Sequence, residues 1–191
     1  MRKLVVAITG ASGSIYAYRL LEYLRRLRET ESMEIALIFS ENAPTVWQWE
    51  LNLPPPDDFP IYGLKDYFAP FASGSARYEA MVIIPCSMGT AGRIAAGISD
   101  DLITRTADVM LKERRRLLIV PRETPLHAGH LENLLRLAQL GALIIPAMPS
   151  FYSRPSTIEE LVDTVTLRVL DHLGFPLQQK RWGSESPSRP I

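Results

Sequence analysis

The chain has a single cysteine, Cys86, in 191 residues. One thiol excludes an internal disulfide and any metal site built from several cysteines. It suits a reducing setting, so the expected location is the cytoplasm. An excess of charge of either sign is also missing: 21 Lys and Arg face 21 Asp and Glu, for a formal net charge of +0. The whole-chain attraction that draws proteins to nucleic acid or anionic membranes is therefore lacking. So neutral a surface fits a chain that buries part of it in a homo-oligomer. No apolar run approaches the roughly 20 residues needed to span a bilayer. The N-terminus enters a strand pattern directly, so no signal peptide is expected. His127, His130 and His172 form no metal-ligand spacing and are read as structural or surface residues. There is no G-x-x-x-x-G-K-S/T run, which excludes a P-loop nucleotidase. No Y-x-x-x-K occurs, which weakens a short-chain dehydrogenase, and no D-D-x-x-D, which leaves magnesium–diphosphate prenyl chemistry unsupported.

What is present is an alternation of strand and helix patterns. Hydrophobic residues make up 47% of the chain, enough for one domain with a real core. Apolar runs at Leu4–Ile8, Glu34–Phe39, Ala80–Pro85, Leu117–Val120 and Leu143–Ile145 read as five strands. Helical patterns cover about 14–28, 43–50, 90–96, 101–114, 129–140 and 157–173. Ser156 is the expected cap of the last helix, with Glu159 in the capping-box position. Residues 54–79 read as a long irregular segment rich in proline and aromatics, with a functional or interfacial role expected. The fold expected is α/β: a single-domain, three-layer, doubly wound parallel sheet of flavodoxin-like (Rossmann-like) type. The domain is expected over 1–182, with 183–191 a flexible tail.

In such sheets ligands sit beyond the carboxyl ends of the strands. Here those ends lead into Thr9–Ser14, Ser40–Glu41, Cys86–Thr90, Arg122–Glu123 and Ser150–Tyr152. The small-residue turn Thr9-Gly-Ala-Ser-Gly-Ser14 between strand and helix reads as a phosphate cradle. Ser12 and Ser14 are candidate donors or caps, and an ordinary serine-capped turn is the alternative. The turn is an incomplete dinucleotide fingerprint, because Tyr16 stands where a third glycine belongs. Cys86-Ser-Met-Gly-Thr90 forms a second such turn. Cys86 reads as buried filler rather than a nucleophile. Asp101, Arg105, Asp108 and Lys112 share one helical stripe, by itself a solvated row of ion pairs. Arg122 has the fork that suits phosphate; Glu123 beside it is an acid, a base or the arginine's partner. Arg168 flanks the apolar stripe of the last helix, either as a snorkelling arginine or as a phosphate ligand near Tyr152.

Several stretches together resemble one family, the UbiX-type flavin prenyltransferases. They are Ile8-Thr-Gly-Ala-Ser-Gly13, Ser40 with Glu50 ten residues on, Ala72-Ser-Gly-Ser75, Pro85-Cys-Ser-Met-Gly-Thr90, Ala107-Asp-Val-Met-Leu-Lys-Glu-Arg-Arg115, Val120-Pro-Arg-Glu-Thr-Pro125, Phe151-Tyr-Ser-Arg-Pro155 and Arg181-Trp182. Flavin-dependent cysteine decarboxylases, which share the fold, typically carry P-A-S-A-N-T at the Pro85–Thr90 position. Decarboxylation of a cysteine-type carboxylate is therefore the alternative activity. The resemblance implies metal-independent transfer of a dimethylallyl group from dimethylallyl phosphate to N5 and C6 of reduced FMN. The product, prenylated FMN, would serve a separate UbiD-type decarboxylase. The resemblance places FMN against Gly10, Ala11, Ser12, Ser40, Ser87, Met88, Gly89, Thr90 and Arg122. It places the donor against Lys112, Arg122, Tyr152, Arg168 and Trp182, and gives catalytic roles to Ser12, Glu50, Lys112 and Glu123. It also implies a large homo-oligomer with sites at subunit interfaces. A mononucleotide ligand would account for the glycine missing at Tyr16, and Ser12 is then expected near the flavin's reactive edge.

Overall fold

The computed structural model describes residues 1–175. Its first strand, β1 (Arg2–Ile8), sends Leu4, Val6 and Ile8 to one face of the sheet and Val5 and Ala7 to the other. That is the period-two alternation of a strand buried on both sides, which is why the run is continuously apolar. β2 (Met33–Phe39), β4 (Ala80–Cys86) and β5 (Arg116–Pro121) are built alike. Two short strands, β3 (Ile61–Tyr62) and β6 (Leu143–Ile144), close the edges. Every pairing is parallel, in the order β3-β2-β1-β4-β5-β6.

Six α-helices among the described residues cover the faces. α1 (Ser14–Leu27), α2 (Ala43–Leu51) and α6 (Ile158–Leu173) pack Leu20, Leu24, Trp47, Val165 and Val169 against one face. α3 (Met88–Ala95), α4 (Leu102–Lys112) and α5 (Ala128–Gln139) pack Ile94, Ile103, Met110 and Leu137 against the other. The three-layer doubly wound architecture is thus present. Leaving out β3, the strands follow flavodoxin-like order; with β3, the order is 3-2-1-4-5-6.

Two local expectations are corrected. The segment 54–79 contains a sixth strand, β3, held where the Leu37 amide donates to the Pro60 carbonyl at 2.9 Å. Two residues are too short to carry a periodic signal. The last helix is capped by Thr157, whose hydroxyl accepts the Glu160 amide at 3.1 Å; the Glu160 carboxylate in turn takes the Ser156 amide and hydroxyl. The capping register lies one residue beyond the Ser156–Glu159 reading. Ile158 is consequently exposed, and the buried stripe begins at Val162.

The helices run back against the strands. The Arg2 and Arg116 guanidinium groups donate to the Leu173 carbonyl at 2.5 and 2.8 Å, so cations at the strand starts hold the C-terminus of α6. The start of α6 is thereby set toward the carboxyl edge of the sheet. The winding reverses between β1 and β4, the place where such sheets bind ligands.

Candidate active site

At the switch point one buried hydroxyl ties two strand ends together. Thr9, 1% exposed, donates its hydroxyl proton to the Pro85 carbonyl at 2.7 Å and accepts the Ser87 amide at 2.9 Å. This fixes the two small-residue turns side by side. Ser87 then caps α3: its hydroxyl accepts the Thr90 amide at 3.3 Å and lies 3.1 Å from the Thr90 hydroxyl. The first amides of α3 point out of the helix, as at any helix start. They border a cavity of about 420 Å³ lined by Gly10, Ser40, Asn42, Ser87, Gly89 and Thr90, with Arg93 and Asp101 in its wall. Gly89 leaves open space there; a Cβ on it would meet nothing within 4 Å. Gly10 is needed for the fit of the wall, since its Cβ would lie 2.9 Å from that of Asn42. Met88 buries its side chain in the core, so only its backbone can face this cavity.

The structure corrects the opening turn. The anion on the N-terminus of α1 is the Glu50 carboxylate, which accepts the Gly13 amide at 2.9 Å and the Ser14 amide at 2.7 Å. Gly13 (φ 109°) is the residue before the helix, and no serine side chain caps it. Burial pushes the Glu50 carboxyl up, but hydrogen bonds from the Ser12 side chain and the Ser14 and Gly13 amides outweigh it, and the carboxyl lies below its ordinary value. Gly10 lines the cavity; Ala11 and Ser12 continue the turn outside its lining, with Ser12 directed at Glu50.

Arg122 follows β5. Its amide donates to the Cys86 carbonyl at 3.1 Å. Its side chain lies over the first turn: a Cβ on Gly13 would sit 3.9 Å from the Arg122 Cγ. Burial raises the Tyr16 hydroxyl's pKa, and the Arg122 charge works against that rise. Glu123 is exposed and, among the described residues, accepts only the Thr124 amide, at 3.1 Å, and is not paired with Arg122. Cys86 is fully buried, and desolvation pushes its thiol up to about 12, which fits packing rather than nucleophilic chemistry.

A second cavity, of about 540 Å³, lies beyond β6. It brings together Tyr152 and Arg168 with Ser150, Ser153, Arg154 and Asp163. Arg168 is 61% exposed at the side chain, 3.8 Å from Asp171. Asp163 is held from behind by both forks of Arg19, at 2.9 and 2.7 Å, and by the Tyr23 hydroxyl at 2.8 Å. From β1 to β6 is three strand spacings, about 14 Å at about 4.8 Å each. The two cavities therefore lie along one edge, with Arg122 between them.

Lys112 is not brought to this edge. It ends α4, pairs with Glu113 at 2.6 Å, and is followed four residues later by the start of β5. Asp101, at the other end of α4, lines the first cavity, about 16 Å away along the helix. The stripe on α4 is not a uniform row of solvated pairs. Asp101 is buried in a capping box with Thr104 and paired with Arg93, while Arg105 donates to the Ala72 carbonyl at 3.1 Å. Trp182 and the expected tail at 183–191 lie outside the described residues. Sequence reasoning did not single out Arg93, Asn42 or Asp163, which belong to no contiguous motif, and it read Asp101 only as part of a solvated stripe.

A doubly wound parallel sheet with a small-residue cavity at its switch point defines a nucleotide-binding α/β protein, and the Flavoprotein family model matches residues 1–170. A flavin prenyltransferase UbiX from Alkalihalophilus pseudofirmus is 47% identical, covering 94% of this chain and 96% of the relative. A solved structure named as a dodecameric FMN-dependent Ubix-like decarboxylase from Escherichia coli O157:H7 is 41% identical with a TM-score of 0.87, covering 94% and 98% of the two chains. The crystal structure of AnUbiX (PadA1) in complex with FMN and dimethylallyl pyrophosphate is 42% identical with a TM-score of 0.85, covering 91% and 93%. The chain belongs to the UbiX-type flavin prenyltransferases within the flavoprotein family. Cysteine-type decarboxylation is not the favoured activity.

Proposed function

We propose that this chain transfers the dimethylallyl group of dimethylallyl phosphate to reduced FMN, in the cytoplasm, and that a UbiD-type decarboxylase receives the prenylated flavin. The observation that carries this reading is the pair of cavities on one sheet edge, one lined by small residues and hydroxyls, the other by cations and hydroxyls.

The first cavity fits the phosphate end of FMN. Ser40, Ser87 and Thr90 line it beside the start of α3, and the open space at Gly89 leaves room for a close approach. Arg122, between the cavities, would hold the ring end. When bound and reduced, FMN supplies the nucleophilic N5 and C6. Tyr152 and Arg168 would hold the donor phosphate, and fixed cations there stabilise the charge that develops as the allylic C–O bond breaks. Glu50 already accepts the Ser12, Gly13 and Ser14 donors, so its part is to stay ionised and orient Ser12. Among the described residues Glu123 accepts a single amide, which leaves it lone pairs to take up the C6 proton.

Lys112, at the far edge of its own chain, can meet a donor phosphate only in a second copy. This supports an oligomer with shared sites, as does the dodecameric relative. Phosphate release tests the activity: dimethylallyl phosphate should yield inorganic phosphate with reduced FMN present. Release at the same rate without flavin would contradict it.

A further inference from the structure

Part of the wall of the switch-point cavity has no role yet. Arg93, on α3, lines it together with the buried Asp101 at the start of α4. The capping box fixes Asp101, whose Oδ1 accepts the Thr104 amide at 2.8 Å. Its Oδ2 accepts the Arg93 Nη1 at 2.9 Å, and Asp100 accepts the same nitrogen at 3.2 Å. Two carboxylates thus offset the guanidinium, and Glu41 also lines the cavity. The wall has no surplus of positive charge, so a phosphate here must be held by hydrogen-bond donors.

Arg93 acts on those donors. Its second nitrogen, Nη2, donates to the Thr90 Oγ1 at 3.4 Å, the long end for such a bond. The Ser87 and Thr90 hydroxyls are 3.1 Å apart and share one bridging proton. Whichever of them donates across the bridge, the other's proton is left over and has no acceptor among the described residues. Both residues line the cavity. A cation that donates into this pair at Thr90 polarises the remaining O–H and makes it a stronger donor.

We propose that Arg93 is a positioning residue for the flavin phosphate: held by Asp101, it acts through Thr90 to aim the Ser87–Thr90 hydroxyl pair at that phosphate. The assignment rests on the reading above that the FMN phosphate occupies this cavity. Arg93 need not touch the flavin. Its effect falls on FMN, which carries the phosphate, and passes over riboflavin, which carries a hydroxyl in its place.

The test is fluorescence titration of the full chain, stripped of flavin, with FMN and with riboflavin. Wild type should bind FMN at least about 100-fold more tightly. Arg93→Met should weaken FMN about fivefold and riboflavin by less than about twofold, and Thr90→Val should weaken FMN about 30-fold. The double variant should lose no more than Thr90→Val alone, because Arg93 acts through that hydroxyl. Arg93→Lys keeps a charge opposite Asp101 but lacks the fork that reaches Thr90 as well. It should fall between wild type and Arg93→Met, and it carries the test if Arg93→Met does not fold. Unchanged FMN affinity, equal losses of FMN and riboflavin, or losses that multiply in the double variant overturn the assignment and leave the FMN reading standing. A wild type that binds the two flavins alike overturns the phosphate placement and this assignment with it.

Discussion

The two cavities on the carboxyl edge are made of different materials. The one at the switch point is built from backbone amides, glycines and short hydroxyls on two turns that a buried threonine holds together. The one beyond β6 is built from long side chains on a loop and a helix, with a buried ion pair behind it. The first gains its shape from where strands end, so its lining is gathered from segments between Gly10 and Asp101. The second is lined by the single stretch from Ser150 to Arg168, and is braced from behind by Arg19, 144 positions before Asp163. A flavin acceptor can be held by shape and many weak donors; a leaving group must be met by charge.

The difference predicts separable failures. Arg168→Ala should lower prenyl transfer about 100-fold while FMN affinity, read by flavin fluorescence, stays near wild type. An equal loss of FMN would merge the two cavities into one. Asp163→Ala strands Arg19 at a mostly buried position, with side-chain exposures of 18% and 13% in the pair. It should cost about 3 kcal/mol in chemical denaturation, at the lower end for a broken buried pair because some solvent reaches it. A cost near zero would mean that the pair does not support the second cavity. Thr9→Val should cost about 1–2 kcal/mol and weaken FMN, since it leaves the half-buried Ser87 amide without its acceptor. Unchanged FMN affinity would show that the two turns hold their positions without the tie.

The smallest effect expected is at Glu50, and it depends on pH. Its carboxyl lies below the ordinary value of 4.5 in the fold, so its contribution is complete above about pH 4.5 and is lost as pH falls through the lower folded value. Glu50→Gln should therefore cost about 0.5–1 kcal/mol at pH 7, a helix-end contribution at an exposed residue, and less at pH 3. Urea midpoints at the two pH values measure this. A larger gap at pH 3 would contradict it.

What could be read from the chain follows the same division. The long strands announced themselves because a sheet covered on both faces needs unbroken apolar runs, as in Leu4–Ile8. The strand-end rule then located the first cavity without reference to any relative. β3 escaped because two residues carry no period, and the Thr157 cap because Ser156, Thr157, Glu159 and Glu160 offer two registers one residue apart. The α1 turn misled because an amide-rich helix start accepts a carboxylate as readily as a phosphate, and Glu50 lies 37 positions away. The strand-end rule reached Tyr152, and helix position left Arg168 open as a phosphate ligand beside it; only the family resemblance tied the pair to an allyl donor, and Lys112 shows where that resemblance needs a second chain to make sense.

The central claim is that flavin and allyl donor meet along this edge, and the mass of the flavin itself tests it most directly. The protein is incubated anaerobically with reduced FMN and dimethylallyl phosphate, and the bound flavin is extracted and weighed by mass spectrometry. The account predicts a gain of one dimethylallyl unit with wild type, and unmodified FMN, still bound, with Arg168→Ala. Unmodified FMN from a fully loaded wild-type protein would contradict it.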